Sequence, residues 1–225
     1  MQTSILKEKA YELGIDMVGI VAAEDIDRYA GLPVTWQNSK LKKTTDYLEN
    51  AKSVIVLGFG IWDDVFDLTV HKDSRWTYPG EMILSVHQRD MALALQREGI
   101  QVYAGYPLIS HKYLAQLGGL GAMGKNSMIV TREFGTRVRF RCIITDAVLE
   151  YDQPFTEDLC GSCTECIKAC PVGALTEYVV DQKGCMVGRH IKEEYVKPNI
   201  LAKYEPQITT HSHLMCRECQ KVCPY

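Results

Sequence analysis

The chain of 225 residues is 46% apolar and 24% charged, with a formal net charge of -3, which disfavours a disordered tail, a collagen-like fibre and a basic nucleic-acid arm. A chain this long buries roughly 70% of its unfolded surface without covalent staples, so its nine cysteines need a reason other than stability. The opening MQTSILKEKAYELGIDMVGIVAA has no uninterrupted apolar core of the signal-peptide type, and no stretch approaches the roughly 20 apolar residues of a membrane span. The expectation is a cytoplasmic protein with no membrane partner, where thiols stay reduced and clustered cysteines point to metal before disulfides.

In chain order, the first two thirds carry the strand-like runs MVGIV, SVIVLGF, IQVYA, SMIVT and VRFRCIITDAVL, interleaved with amphipathic stretches that read as helices. Leu84, Met91 and Leu95 recur at helical spacing between Glu81 and Arg97, and Gly99 follows as a stop signal. His87 shares that apolar face and reads as a core histidine. The segment 60–80, GIWDDVFDLTVHKDSRWTYPG, is long and aromatic. Its Trp62, Trp76 and Tyr78 either line a pocket or pack, and packing is the ordinary use of such residues. In the last long strand, Val138, Phe140, Cys142 and Ile144 share one face, so Cys142 reads as a small buried hydrophobe. Arg137, Arg139 and Arg141 share the other face, which either holds an anionic cofactor group or is simply solvated. A linker with three acids and Pro154 spans Tyr151 to Asp158. Beyond it strand patterning disappears and cysteines take over, which predicts an α/β cofactor-binding domain over 1–155 and a cysteine-rich domain over 156–225.

Eight cysteines fall between Cys160 and Cys223. CGSCTECIKACP places Cys160, Cys163, Cys166 and Cys170 in C-x2-C-x2-C-x3-C-P, the bacterial ferredoxin spacing in which three thiolates hold one cubane and the fourth reaches a second. Paired C-x2-C motifs also bind zinc, but zinc gives no reason for a third closely spaced cysteine followed by C-x3-C-P. CRECQKVCP repeats the pattern without its first cysteine, at Cys216, Cys219 and Cys223. Two 4Fe-4S clusters follow, one held by Cys160, Cys163, Cys166 and Cys223, the other by Cys170, Cys216, Cys219 and one more ligand. His213 stands in the register of the missing cysteine, Cys185 lies in a Gly-flanked loop and Cys142 lies far upstream. Cys185 is preferred, because soft thiolate suits an iron-sulfur cluster better than imidazole.

GGLGAMGKNS contains G-x-G-x-x-G at Gly119, Gly121 and Gly124, but a helical run precedes it and a strand follows, the reverse of a dinucleotide fingerprint. A P-loop is excluded too, since Asn126 follows Gly124-Lys125 where the magnesium-binding hydroxyl should stand. What remains is a glycine-dense turn, with Lys125 and Asn126 as polar handles, where backbone approaches a bulky cofactor. The plain alternative is a helix C-cap. Four glycines in the seven residues 118–124 tilt the reading toward cofactor contact at Gly119, Gly121, Gly124, Lys125 and Asn126.

GLGAMGKNSMIV, FGTRVRFRCIITD, CGSCTECIKACPVGAL, an isolated Cys185 and CRECQKVCP occur in an order that resembles epoxyqueuosine reductase and its relatives. The resemblance runs over most of residues 100–225, with weaker likeness at ELGIDMVGI and SVIVLGF. It implies an α+β protein, a nitroreductase-like α/β layer followed by a ferredoxin-like dicluster domain, and a base-off cobalamin in that layer as in the related reductive dehalogenases. It also implies Cys185 as the eighth thiolate. Two features depart from the family. Its epoxide reducers carry an acidic proton donor in a D-x-x-P-like context upstream of the glycine loop, whereas residues 104–113, AGYPLISHKY, hold no Asp or Glu. Its members also extend beyond the last cysteine into a helical region that helps hold tRNA, and this sequence ends at Tyr225. With net charge -3 and no basic stripe, nucleic acid is not expected as a partner.

The functional expectation is a corrinoid-dependent reductase or reductive activator, an oxidoreductase that draws electrons from an external low-potential donor and acts on a small molecule or a corrinoid. Tyr103, Tyr106 and His111 are conceivable proton donors, and no catalytic residue is assigned. Two alternatives stay open: a dicluster electron carrier that docks a partner protein and has no organic cofactor, and a flavin-containing iron-sulfur reductase, with FMN less favoured than cobalamin.

Overall fold

The computed structural model describes residues 2–34, 38–73, 75–187, 198–200 and 209–225. The chain forms two compact units, one of Met1–Gly60, Leu84–Ala122 and Val138–Asp158, the other of Ile61–Ile83, Met123–Arg137 and Leu159–Tyr225. The cysteine-rich unit therefore takes in two segments expected within the 1–155 domain. The strand Ser212–Leu214 pairs with Leu68–Lys72, so backbone hydrogen bonds hold the C-terminal cysteine segment to part of the 61–83 segment.

The first unit is built on a four-stranded antiparallel sheet in the order Met17–Ala22, Ser53–Gly60, Val138–Thr145, Val102–Tyr103. All eight residues of Ser53–Gly60 are buried, which explains a continuous apolar run where a half-solvated antiparallel strand would alternate. Helices Thr3–Glu12, Ala23–Asp27 and His111–Leu117 pack on the sheet. The expected helix at 81–97 is Pro79–Arg97, with Leu84, Met91 and Leu95 buried and Gly99 at φ +79° just past its end. His87 donates from Nδ1 to the Leu13 carbonyl at 2.7 Å, and Asp152, in the expected linker, accepts from Lys7 at 2.7 Å and from the Ile20 amide at 2.8 Å.

Two expected strands are shorter than their apolar runs. SMIVT contributes only Ile129–Val130, because Ser127 takes φ +59° and the Asn126 side chain accepts from the Met128 amide at 3.0 Å, making a turn. The run from Val138 ends at Thr145, where the Asp146 carboxylate accepts from the Gln101 amide at 3.0 Å. Among the described residues no helix is long and apolar enough to cross a membrane.

In the second unit, Ser212–Leu214, Leu68–Lys72 and Arg75–Thr77 form a three-stranded antiparallel sheet. Leu175–Thr176 and Val179–Val180 form a tight hairpin turned at Tyr178, which takes φ +64°. Two four-residue helices, Glu165–Lys168 and Glu218–Lys221, pack on each other.

Gly19 marks a close approach of two backbones in the first unit. A Cβ there would lie 2.5 Å from the Gly118 carbonyl oxygen at the end of helix His111–Leu117. Gly19→Ala is expected to destabilise the fold by about 1–3 kcal/mol, the usual cost of overpacking, read as a lower denaturant midpoint with an unchanged slope.

Candidate metal centre

The two cysteine motifs fold alike. Residues 163–171 (CTECIKACP) and 216–224 (CRECQKVCP) align cysteine on cysteine and proline on proline. The residue before each short helix has nearly the same backbone, φ -134° and ψ 16° at Thr164 against φ -127° and ψ 14° at Arg217. Each helix carries the same surface ion pair, Lys168 to Glu165 at 2.7 Å and Lys221 to Glu218 at 3.0 Å. These exposed pairs stabilise little, but the shared geometry shows one local solution used twice.

Packing of the two helices sorts the thiols. Cys160, Cys163, Cys166 and Cys223 line one cavity, together with Lys125 and Leu159. Burial, then the proximity of Cys160 and Cys163, raises the Cys166 thiol above its ordinary value. Burial also raises Cys223, again with Cys160 and Cys163 adding to the effect. Cys219 is pushed up to about 12, first by burial and then by Cys216, Cys185, Cys166 and Cys170. Each of these groups must lose its proton to bind iron, so metal uptake by this site is proton-linked. Among the described residues no three His, Cys, Asp or Glu side chains converge as they would on a single ion. A cubane asks for something else, since each thiolate binds its own iron and the four sulfurs enclose a body. The chemistry and number of the donors around the cavity suit such a cluster.

Backbone amides complete the surroundings. The Lys125 amide donates to Cys160 Sγ at 3.4 Å and the Ala174 amide to Cys170 Sγ at 3.2 Å. Such bonds favour negative charge on sulfur and so help set cluster potentials. Gly135, at φ +54°, lies against the carbonyl of Tyr225, where a Cβ would clash. The FGTR segment thus seats the chain just after Cys223, a role its glycine did not declare in the sequence.

Sequence reasoning also missed a charged network beside Cys216. Arg217 donates to Asp64 and, at 3.2 Å, to Asp67, while Arg137 lies 3.6 Å from Asp67 and 3.8 Å from Asp64. Asp67 is 1% exposed. The hydrogen bond from Arg217 holds the Asp64 carboxyl below its ordinary value.

His213 is buried within the three-stranded sheet. It pairs in register with Thr69, whose hydroxyl is 3.0 Å from its Nε2, and sets edge-on against Trp76 at 5.2 Å between centroids. Cys142 is fully buried, its Sγ 3.5 Å from His111 Nε2. Burial pushes Cys142 up to about 12, against an opposing effect of Arg141, and pushes His111 down to about 4, with Arg141 adding to it. The pair is therefore neutral around neutral pH, and His111 is poorly placed to deliver a proton.

The glycine loop divides between the units. In the first, Gly119 takes φ +74° against the Gln153 carbonyl, and the Leu120 amide closes on Ala115 at 2.9 Å, a helix C-terminal turn. Gly121 is buried. In the second, a Cβ on Gly124 would meet Val130 Cγ2 at 2.7 Å. Lys125 and Asn126 lie against the cysteine segments, Asn126 Nδ2 being 3.5 Å from the Cys219 carbonyl. The arginine strand is also not a solvated face. Arg141 is buried beneath Tyr106, 4.6 Å from the ring centroid. Trp62 is exposed and edge-on to Phe66, while Trp76 packs on His71.

The paired cysteine motifs define a protein of the double iron-sulfur cluster class, and a family profile described as "4Fe-4S double cluster binding domain" matches residues 159–225. The epoxyqueuosine reductase of Leadbetterella byssophila is 30% identical over 98% of this chain and 78% of its own length. The chain belongs to the epoxyqueuosine reductase family. Its fold matches an epoxyqueuosine reductase solved with an epoxyqueuosine-modified tRNA-Tyr stem loop (TM-score 0.73, 22% identity, 98% of this chain and 64% of that one). It also matches a reductive dehalogenase whose structure is described as suggesting a mechanism for B12-dependent dehalogenation (TM-score 0.59, 18% identity, 80% and 28%). The chain thus spans less than two thirds of the solved reductase. The expectation that nucleic acid is no partner is opposed by this family's tRNA-bound member. Net charge does not decide the matter, because it averages over a surface on which a local patch suffices for nucleic-acid contact.

Two measurements test the surroundings of the cysteines. Asp67→Ala removes a buried carboxylate from two partly buried guanidiniums that keep Asp64 as a partner, and is expected to cost about 1–3 kcal/mol in unfolding free energy. Since the Asp64 carboxyl is lowered in the folded state, its stabilisation is present above its ordinary value of 3.8 and fades as pH falls below that toward the folded value. Asp64→Asn should therefore lower the melting temperature at pH 6–8 and converge on wild type in acid.

Proposed function

We propose that the chain is an iron-sulfur reductase in which two four-iron clusters pass electrons singly from an external low-potential donor to a corrinoid. The observation that carries this reading is the cavity lined by Cys160, Cys163, Cys166 and Cys223. Cys216, Cys185, Cys166 and Cys170 all act on the Cys219 thiol, and with Cys166 assigned to the cavity the second group is Cys170, Cys185, Cys216 and Cys219. Cys185 is the eighth ligand on this reading. His213 is committed to Thr69 and Trp76 in a sheet. The corrinoid is supported by family membership and by the fold shared with the dehalogenase. When bound it supplies the reductive chemistry. The chain's part is to hold the clusters, exclude water and set their potentials. Lys125 and Asn126 are better explained by the cysteine segments, and Gly119 by its helix end, than by contact with a corrin ring.

The substrate proposed first is an epoxide-bearing nucleoside in tRNA, by analogy with the stem-loop-bound relative. Residues 104–113 offer no carboxyl to protonate it. Of the conceivable donors, Tyr106 is the exposed one, its hydroxyl hydrogen-bonded to Ser85, whereas Tyr103 packs on Tyr47 with its hydroxyl tight against Gly105. The absent carboxyl favours a second reading, reduction of a small molecule or of a corrinoid itself.

Anaerobic titration of the reconstituted protein with cobalamin should change the corrin bands. No binding of any cobalamin form removes the corrinoid, and extracted flavin would put a flavin in its place. Turnover of an epoxyqueuosine-containing stem loop separates the two substrate readings. Cys185→Ala should reduce iron from about eight per chain toward about four, whereas His213→Ala should leave it near eight by the two-cubane count. The reverse result transfers the ligand role. Cys142→Ala should cost about 1 kcal/mol in packing and leave iron unchanged.

A further inference from the structure

Lys125 is a buried cation with an unusual set of attachments. Its side chain is 6% exposed and its Nζ lies 3.0 Å from Glu177 Oε1, a carboxylate that is itself 55% exposed. Its backbone is fixed at both ends: the amide donates to Cys160 Sγ at 3.4 Å, and the carbonyl accepts from the Tyr178 amide at 3.1 Å. Two residues further on, the Ser127 hydroxyl donates to the Tyr178 carbonyl at 2.9 Å. Lys125 also lines the cavity shared by Cys160, Cys163, Cys166 and Cys223. Burying a lysine requires a reason, because desolvation penalises its charged form. The hydrogen bond to Glu177 outweighs that penalty and holds the ammonium above its ordinary value, so the cation is kept charged in this wall.

We infer that Lys125 is a potential-setting residue for the cluster held by Cys160, Cys163, Cys166 and Cys223, with Glu177 as its counterweight. The inference rests on the two-cluster reading above. Adding an electron to a cluster adds negative charge, and a cation held in a poorly solvated wall stabilises the reduced form, raising the reduction potential. Glu177 opposes this by partly neutralising the ammonium. The two side chains therefore act on one quantity with opposite sign, which a merely structural ion pair would not do. Breaking a structural pair from either side loosens the same contact and moves stability in the same direction.

The test is an EPR-monitored redox titration of the reconstituted full chain, with iron content measured on each sample. Lys125→Gln should make the affected cluster harder to reduce, by about tenfold in the reduced-to-oxidised ratio at a fixed solution potential, which is 59 mV for a one-electron couple. Lys125→Arg should restore most of the wild-type potential. Glu177→Gln should shift the same signal the other way and by less, since that carboxylate is screened by water. The second cluster should move less in every variant. If Lys125→Gln fails to take up iron, Glu177→Gln decides alone: a shift to higher potential supports the inference, and no shift or a lower potential overturns it. Wild-type protein that holds one cluster, or zinc, overturns the two-cluster reading itself, and that outcome is distinguishable from two clusters whose potentials ignore Lys125 and Glu177.

Discussion

The second unit is organised around one constraint: cysteines from two stretches of chain about fifty residues apart share one cavity, Cys223 beside Cys160, Cys163 and Cys166. The chain meets it by using one local fold twice. Each C-x2-C turn enters a four-residue helix, and the helices pack together, so the last cysteine of one motif joins the first three of the other. Burial and thiol-thiol proximity raise the Cys166, Cys219 and Cys223 thiols, so iron must displace their protons in order to bind.

The remainder of this unit supports that core. The sheet that buries His213 ties the C-terminal motif to the segment around Leu68–Lys72. The Asp64, Asp67, Arg137 and Arg217 network anchors the residue after Cys216, and Gly135 admits the backbone of Tyr225, two residues after Cys223. The loop at Lys125 brings an amide donor and a cation to the same wall. These contacts come from segments distant in sequence, which explains why the unit is discontinuous along the chain.

The first unit solves a different problem. Its central strand is buried at every position, so both faces of the sheet must be covered, and the glycines at 19 and 118 let a helix end reach the backbone of the edge strand Met17–Ala22. Part of the glycine-dense loop is accounted for by this close approach and by the helix terminus at Gly119. Arg141, on a strand face whose charge alternation suggested water, is covered in the same way by Tyr106. Burial on both faces is a property of the layers above and below a strand, and no pattern within the strand reports it.

The sequence by itself determined the chemistry of the ligands, the likeness to a reductase family and most of the long elements. Cysteine spacing, helical period and apolar runs are local, and each is encoded within a dozen residues. Only the tertiary structure decided which thiols share a cavity, that His213 serves a sheet, that Lys125 and Asn126 lie against the cysteines, and that Asp67 and Arg217 brace them. Each of those depends on a contact between residues 35 to 150 positions apart. Such contacts are selected by packing the whole chain, so no short window of sequence contains them.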